Sequence, residues 1–335
     1  MIRERAWGGR KAETFTLQWH LTNRCAYRCR HCYDRSDRPE MDRTECLAVL
    51  EDLRAFGRRH RVKTRLCLTG GDPLLHSCFW DLYRAAADAD LPVTLLGNPA
   101  TGRQIDRLIG IRLPGFYQVS LEGLEEHNDS IRGSGHYEKV MAFLHLARQK
   151  GLPTRVMLTL TRDNLDQVLP LGERLRGLTE GFTFNRLSPV GEGAALLLPS
   201  PPDFAGFLEA YSLARKTNPV FGFKDNLFNI LRERHRRPLL PGCTGYGCGA
   251  AFNFVALLPD GEVHACRKFP SLLGSIRSSD LDSIYRSRTA EDYRRGSLGC
   301  RKCRLRKACG GCLAVTAGTG RDPLAEKDPF CFRVP

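Results

Sequence analysis

Fourteen cysteines gather toward the two ends of the chain and leave its middle empty, and that distribution constrains the fold more than any other feature. Cys25, Cys29 and Cys32 lie together, while Cys46, Cys67 and Cys78 stand singly. None occurs between residues 79 and 242, and eight crowd into 243–331. The N-terminal MIRERAWGGRKAE is charged without an apolar segment, so it does not read as a secretory signal. No apolar run approaches the ~20 residues of a membrane helix. A cytoplasmic location is expected, with reduced thiols serving metal binding or redox chemistry instead of a disulfide framework.

The cysteine-free body has its own pattern. Short β-branched runs at 15–22, 64–70, 92–98, 116–122, 154–161 and 182–188 alternate with helical patterns such as 44–60, 79–89, 137–150 and 165–178. Six such alternations argue an α/β class with a parallel sheet and helices outside, open or closed into a full or partial barrel. The proline-rich LLLPSPPDF at 196–204 marks a boundary. The expected division is a barrel over 1–200, a helical bridge over 201–242 and a cysteine-rich domain over 243–335. In that last part only 253–266 reads clearly, as a hairpin turning at Pro259-Asp260-Gly261. So little periodicity predicts a segment held by metal.

Charge is less informative. Lys and Arg total 51 against 37 Asp and Glu, giving 51 − 37 = +14. Such an excess suits nucleic-acid binding, but the arginines are scattered and form no basic arm, so nucleic acid is an unlikely partner.

The chemistry starts at HLTNRCAYRCRHCY, where the C-x3-C-x2-C spacing follows the first expected strand. Three thiolates on one loop can hold three irons of a [4Fe–4S] cubane and leave the fourth open; a small zinc site completed by His31 is the plain alternative. The motif resembles that of the radical S-adenosylmethionine (SAM) enzymes, and further turns match in order. Gly70-Gly71-Asp72-Pro73 follows the second strand, with Asp72 where the family usually has glutamate. Gly97-Asn98 follows the third, and Ser120-Leu121-Glu122-Gly123 the fourth, continued by His127-Asn128 and Arg132-Gly133. The resemblance implies a partial (β/α)6, TIM-like barrel, with Cys25, Cys29 and Cys32 as cluster ligands. It implies a SAM pocket containing Gly70, Gly71, Asp72, Asn98 and Ser120. It also implies reductive cleavage of SAM to a 5′-deoxyadenosyl radical, fed by an electron donor such as flavodoxin or ferredoxin.

The C-terminal cysteines would read alone as two four-cysteine zinc sites. Attached to such a barrel, they resemble the SPASM extension, which carries two auxiliary [4Fe–4S] clusters. Cys248, Gly261 and Cys266 fit its first spacing, and Cys300, Cys303, Cys309 and Cys312 fit its second, with the last gap one residue shorter. The family arrangement interleaves the ligands: Cys243, Cys248, Cys266 and Cys312 in one set, and Cys300, Cys303, Cys309 and Cys331 in the other. Arg267 stands where sulfatase-maturing members resemble one another in using an aspartate base, which argues against that activity.

The function this resemblance implies is modification of a ribosomally made peptide by crosslink, thioether, epimerisation or oxidation. HCYDRSDR and the short length are similar to maturases of selenobiotic (thio/seleno-oxazole) peptides. Only 24 residues precede Cys25, too few for a winged leader-binding domain, so a separate leader-binding protein or direct docking is expected. The alternatives are a radical enzyme on a small molecule such as a haem-pathway intermediate, and a zinc-ribbon nucleic-acid binder.

Overall fold

In the computed structural model, which describes residues 2–3 and 11–333, six parallel strands form a curved sheet with helices on its outer face. Most of the N-terminal MIRERAWGGRKAE lies outside the described residues. The strands are β1 (Thr14–Thr22), β2 (Lys63–Gly70), β3 (Val93–Leu96), β4 (Tyr117–Ser120), β5 (Thr154–Leu160) and β6 (Gly181–Arg186), neighbours in that order. Alternation along each strand sorts its side chains. Leu17, Trp19, Leu66, Leu68, Leu95, Val119, Leu158 and Leu160 are buried in the core beneath the helices. The opposite, concave face is more polar: Gln18 pairs with Cys67, His20 with Thr69, Ser120 with Met157 and Thr159 with Asn185. That face makes room for a ligand.

Helix α1 (Arg43–His60) shows why the helices form where they do. Asp42 and Glu45 close a reciprocal capping box, Arg58, Arg59 and His60 occupy the last turn, and Val49, Leu50, Leu53 and Phe56 are buried. The helix expected over 165–178 is much shorter, Val168–Arg174. Pro170 has no N–H to donate, so the helix begins just ahead of it, where a first-turn donor is not needed.

The cysteine-rich part does not stand apart. β7 (Phe254–Leu257) pairs parallel with β1, and β8 (Glu262–His264) and β9 (Leu272–Ser275) follow antiparallel, giving a nine-stranded sheet. The hairpin turns at the expected residues, where the Leu258 N–H donates to the Glu262 carbonyl at 2.8 Å. Three short helices, Leu281–Arg286, Arg288–Arg295 and Leu313–Gly318, were not foreseen; Asp280 and Ser287 cap the first two. Phe252, Val255, Leu257, Val263, Leu313 and Val315 all join the barrel's core. The segment thus gains apolar support that its weak periodicity does not signal, by sharing the barrel's core.

Candidate functional site

The loop after β1 is fastened to its neighbours mainly through backbone groups. Gly71 N–H donates to the Thr22 carbonyl at 2.7 Å and Asp72 N–H to that of Arg24 at 2.8 Å. This approach requires the two glycines: a Cβ at Gly70 would lie 2.2 Å from the Thr22 oxygen, and one at Gly71 2.2 Å from that of Arg24. Gly70 also has φ +142°, which L side chains rarely adopt. The glycine pair therefore seats the cysteine loop on β2.

Side chains finish the placement. Asn98 Nδ2 lies 3.5 Å from Cys25 Sγ, and Arg132 Nη1 lies 3.6 Å from Cys29 Sγ. Arg132 is held by Glu122, whose Oε1 accepts from its Nε at 2.9 Å and whose Oε2 accepts from the Thr159 N–H at 2.7 Å. The adjacent cation and these hydrogen bonds keep the Glu122 carboxyl below the usual range despite its burial. His31 turns Nε2 toward Arg132 and Glu122, and burial lowers its pKa to about 4. Arg132 is the residue the sequence reading left out of the site. Its only signal was its place in the Arg132-Gly133 pair after Glu122.

Cys25, Cys29 and Cys32 line a cavity of about 420 Å³ together with Gly70, Gly71, Asn98 and Ser120. Its inner wall is the concave sheet face at Gln118, Met157, Thr159 and Asn185; its rim includes the exposed Cys25, Arg28 and Arg35. Asp72 sits just outside this lining. Its Oδ1 accepts from the Leu74 N–H at 3.1 Å and its Oδ2 lies 3.4 Å from Asn98 Nδ2, and burial raises its pKa. It acts as a cap and as a support for Asn98. Of the single cysteines, Cys46 and Cys67 are buried, as packing residues would be.

The C-terminal cysteines form two neighbourhoods. Burial raises the thiols of Cys243, Cys248 and Cys266, the last two to about 12 and about 11, and in each case Cys312 adds to the rise. Cys300, Cys303, Cys309 and Cys331 line one small cavity, where burial and then Cys331 push Cys300 up to about 11. Thiols so placed stay protonated unless a metal takes the proton's place, so both sets suit a metal-bound group. Among the described residues no three His, Cys, Asp or Glu side chains are close enough to share one ion. Ligands of a cubane instead each reach a separate iron.

One further link joins the two regions. Arg186, at the end of β6, is buried between Asp225 and Asp328: its Nε donates to Asp225 at 2.8 Å, and Nη1 and Nη2 donate to both Asp328 oxygens at 2.8 and 2.7 Å. Asp328 Oδ2 accepts as well from the Cys312 N–H at 2.8 Å.

A parallel six-stranded sheet with a triple-cysteine loop at its mouth defines an enzyme of the radical SAM class, and residues 19–175 match the Radical SAM superfamily. Residues 248–312 match SPASM, an iron–sulfur cluster-binding domain, so the chain belongs to the radical SAM enzymes with a SPASM domain, whose cofactors are SAM and [4Fe–4S] clusters. It is 25% identical over 350 residues to the AdoMet-dependent heme synthase of Methanosarcina barkeri strain Fusaro, covering 95% of this chain and 96% of that protein. It is 25% identical over 311 residues to the antilisterial bacteriocin subtilosin biosynthesis protein AlbA of Bacillus subtilis strain 168, covering 88% and 66%. Among solved structures, Streptococcus suis SuiB bound to precursor peptide SuiA shares the fold, with a TM-score of 0.74 at 15% identity over 96% of this chain and 76% of that one. No helix among the described residues is long and apolar enough to cross a membrane.

Proposed function

We propose that this enzyme modifies a ribosomally made peptide. The observation that carries the reading is the cavity. At about 420 Å³ it lies toward the low end for a single small-ligand site, and its rim is exposed. With SAM inside, little room is left, so the partner presents one reacting group through the mouth and keeps its bulk outside. A peptide side chain does this. The likeness to a bacteriocin biosynthesis protein and to a peptide-bound structure supports the same reading.

In this reading Cys25, Cys29 and Cys32 hold the SAM-binding cluster, and Gly70, Gly71, Asn98 and Ser120 line the SAM site, with Asp72 supporting Asn98. Cys243, Cys248, Cys266 and Cys312 hold one auxiliary cluster, and Cys300, Cys303, Cys309 and Cys331 the other. When bound, a cluster with an open iron supplies the electron that cleaves SAM to methionine and a 5′-deoxyadenosyl radical. Arg132 and Asn98 orient the thiolates of Cys29 and Cys25, and the concave sheet face keeps bulk water from the reacting centre. A flavodoxin or ferredoxin delivers the electron, and a separate leader-binding protein presents the peptide.

A second reading, a small-molecule substrate, is favoured by the near full-length match to a heme synthase. The discriminating experiment is anaerobic turnover with SAM and dithionite, using a panel of small Cys- and Gly-rich peptides and, separately, porphyrin carboxylates. A SAM-dependent mass change in a peptide supports the first reading. Change in the porphyrin alone rejects it.

A further inference from the structure

The cavity carries more positive charge than the chain neutralises. Arg28, Arg35, Arg132, Arg186, Arg267 and Lys268 line it against a single carboxylate, Asp34. Arg132 and Arg186 are held by Glu122 and by Asp225 with Asp328. Arg267 and Lys268 make no ion pair among the described residues. Both stand in the turn after β8 and reach the cavity from the cysteine-rich side. The Arg267 guanidinium donates to Thr69 Oγ1 at 3.3 Å and lies 5.6 Å from the Tyr33 ring centroid, and Lys268 Nζ donates to the Arg186 carbonyl at 2.9 Å. These acceptors are neutral. Thiols lie near them, Cys266 and Cys67 beside Arg267 and Cys243 and Cys266 beside Lys268, but no carboxylate among the described residues faces either, so an anionic ligand in this partly desolvated cavity would recover free energy from both cations.

We propose that Arg267 and Lys268 form a carboxylate clamp for the substrate, so that the group to be modified enters beside a carboxylate. This rests on the reading of the cavity as the reaction chamber. The carboxylate belongs either to an acidic peptide residue or to a carboxylated small molecule. SAM's own carboxylate fits the clamp poorly. Arg267 meets the sheet at β2, whereas Ser120 ends β4, two strand spacings or roughly 10 Å away.

The test is binding, which needs no turnover. Anaerobically reconstituted full-length protein with SAM is titrated with two probe pairs: a porphyrin tetracarboxylate against its tetramethyl ester, and a Glu-containing peptide against its Gln twin. The clamp predicts that at least one carboxylate probe binds wild type more tightly than its neutral twin. It predicts that Arg267→Gln and Lys268→Gln each weaken that probe by about tenfold or more while the SAM dissociation constant and the cluster absorption stay unchanged. Arg267→Lys should restore part of the loss. The clamp is rejected if neither carboxylate outbinds its twin, or if the variants weaken twin and carboxylate equally. It is also rejected if the variants shift only a cluster's reduction potential, because the cations then serve the cluster alone. Carboxylate-dependent binding of the porphyrin but not of the peptide keeps the clamp and overturns the peptide reading.

Discussion

The barrel and the cysteine-rich segment share one continuous core, yet the chain is held in place differently in each. In the barrel, the inward-facing polar residues stand on strands whose other face is packed by apolar side chains such as Leu17, Val119 and Phe184, so side-chain position follows from sheet register. In the segment 243–331, loops carry the cysteines, and their positions follow from a few long-range polar contacts and the groups that the thiols bind. The first arrangement is therefore expected to survive loss of cofactors, and the second to depend on them.

Iron removal therefore gives the largest contrast. Chelation should strip hydrogen-exchange protection from 296–312 and 326–331 while β7, paired to β1, stays protected. A structural zinc ion contributes on the order of 10 kcal/mol to the folding of a zinc-finger peptide, which sets the scale for losing a metal group from such loops. Equal loss in β7 and in the loops would show that the segment folds as one unit with its clusters. Next in size is the clasp between the regions. Arg186→Met strands two buried carboxylates and should cost about 3–5 kcal/mol in a thermal or denaturant midpoint. A smaller loss would mean that water enters beside Asp225 and Asp328.

Much of the barrel was legible because a parallel strand, buried on one face and facing a site on the other, leaves a compact β-branched run ending in a Gly or Asn turn. All six runs became strands, and Gly70, Gly71, Asn98 and Ser120 stand where those strands end. The clasp was not legible: Arg186 and Asp328 are 142 residues apart, and an isolated Arg or Asp carries no periodic signal. The pairing of β7 with β1 was hidden for the same reason, since a strand does not encode which edge it joins. Arg132 was legible only as part of a motif; its contact with Cys29 is a tertiary fact.

Two substitutions test whether the barrel's site can fail alone. Gly71→Ala places a methyl 2.2 Å from the Arg24 carbonyl and should lift the Cys25–Cys32 loop. Reconstituted protein should lose the iron of one cluster and all SAM cleavage, while the auxiliary iron and the melting of the C-terminal segment are kept. Loss of all three clusters would mean that the regions are coupled through the cavity. Ser120→Ala removes one hydroxyl from the lining and should weaken SAM by about 1.5–3 kcal/mol, the range for a hydrogen bond to a charged group. An unchanged SAM dissociation constant takes Ser120 out of the site.

Acid should separate the two regions most finely. His136 is buried beside Arg132's network, its Nδ1 3.1 Å from Asn128 Nδ2, and burial lowers its pKa to about 3. The unfolded chain binds this proton near pH 6.5, the folded chain not until about 3, so between those values the unfolded state holds more protons and stability falls as pH drops. The slope approaches 1.4 kcal/mol per pH unit for one such group. Asp328 has the opposite history. Burial opposes its ionisation, but Arg186 outweighs that and holds its pKa below the usual range. Its contribution is complete above about pH 4 and is lost only as pH falls through its folded value. Between pH 7 and 5, then, exchange protection corrected for intrinsic rate should drop around residues 125–136 and hold around 312–330. His136→Gln should flatten the first trend and leave the second untouched. If both regions loosen together at pH 5, the clasp does not insulate the cysteine-rich segment from the barrel, and the comparison drawn between them fails at its weakest point.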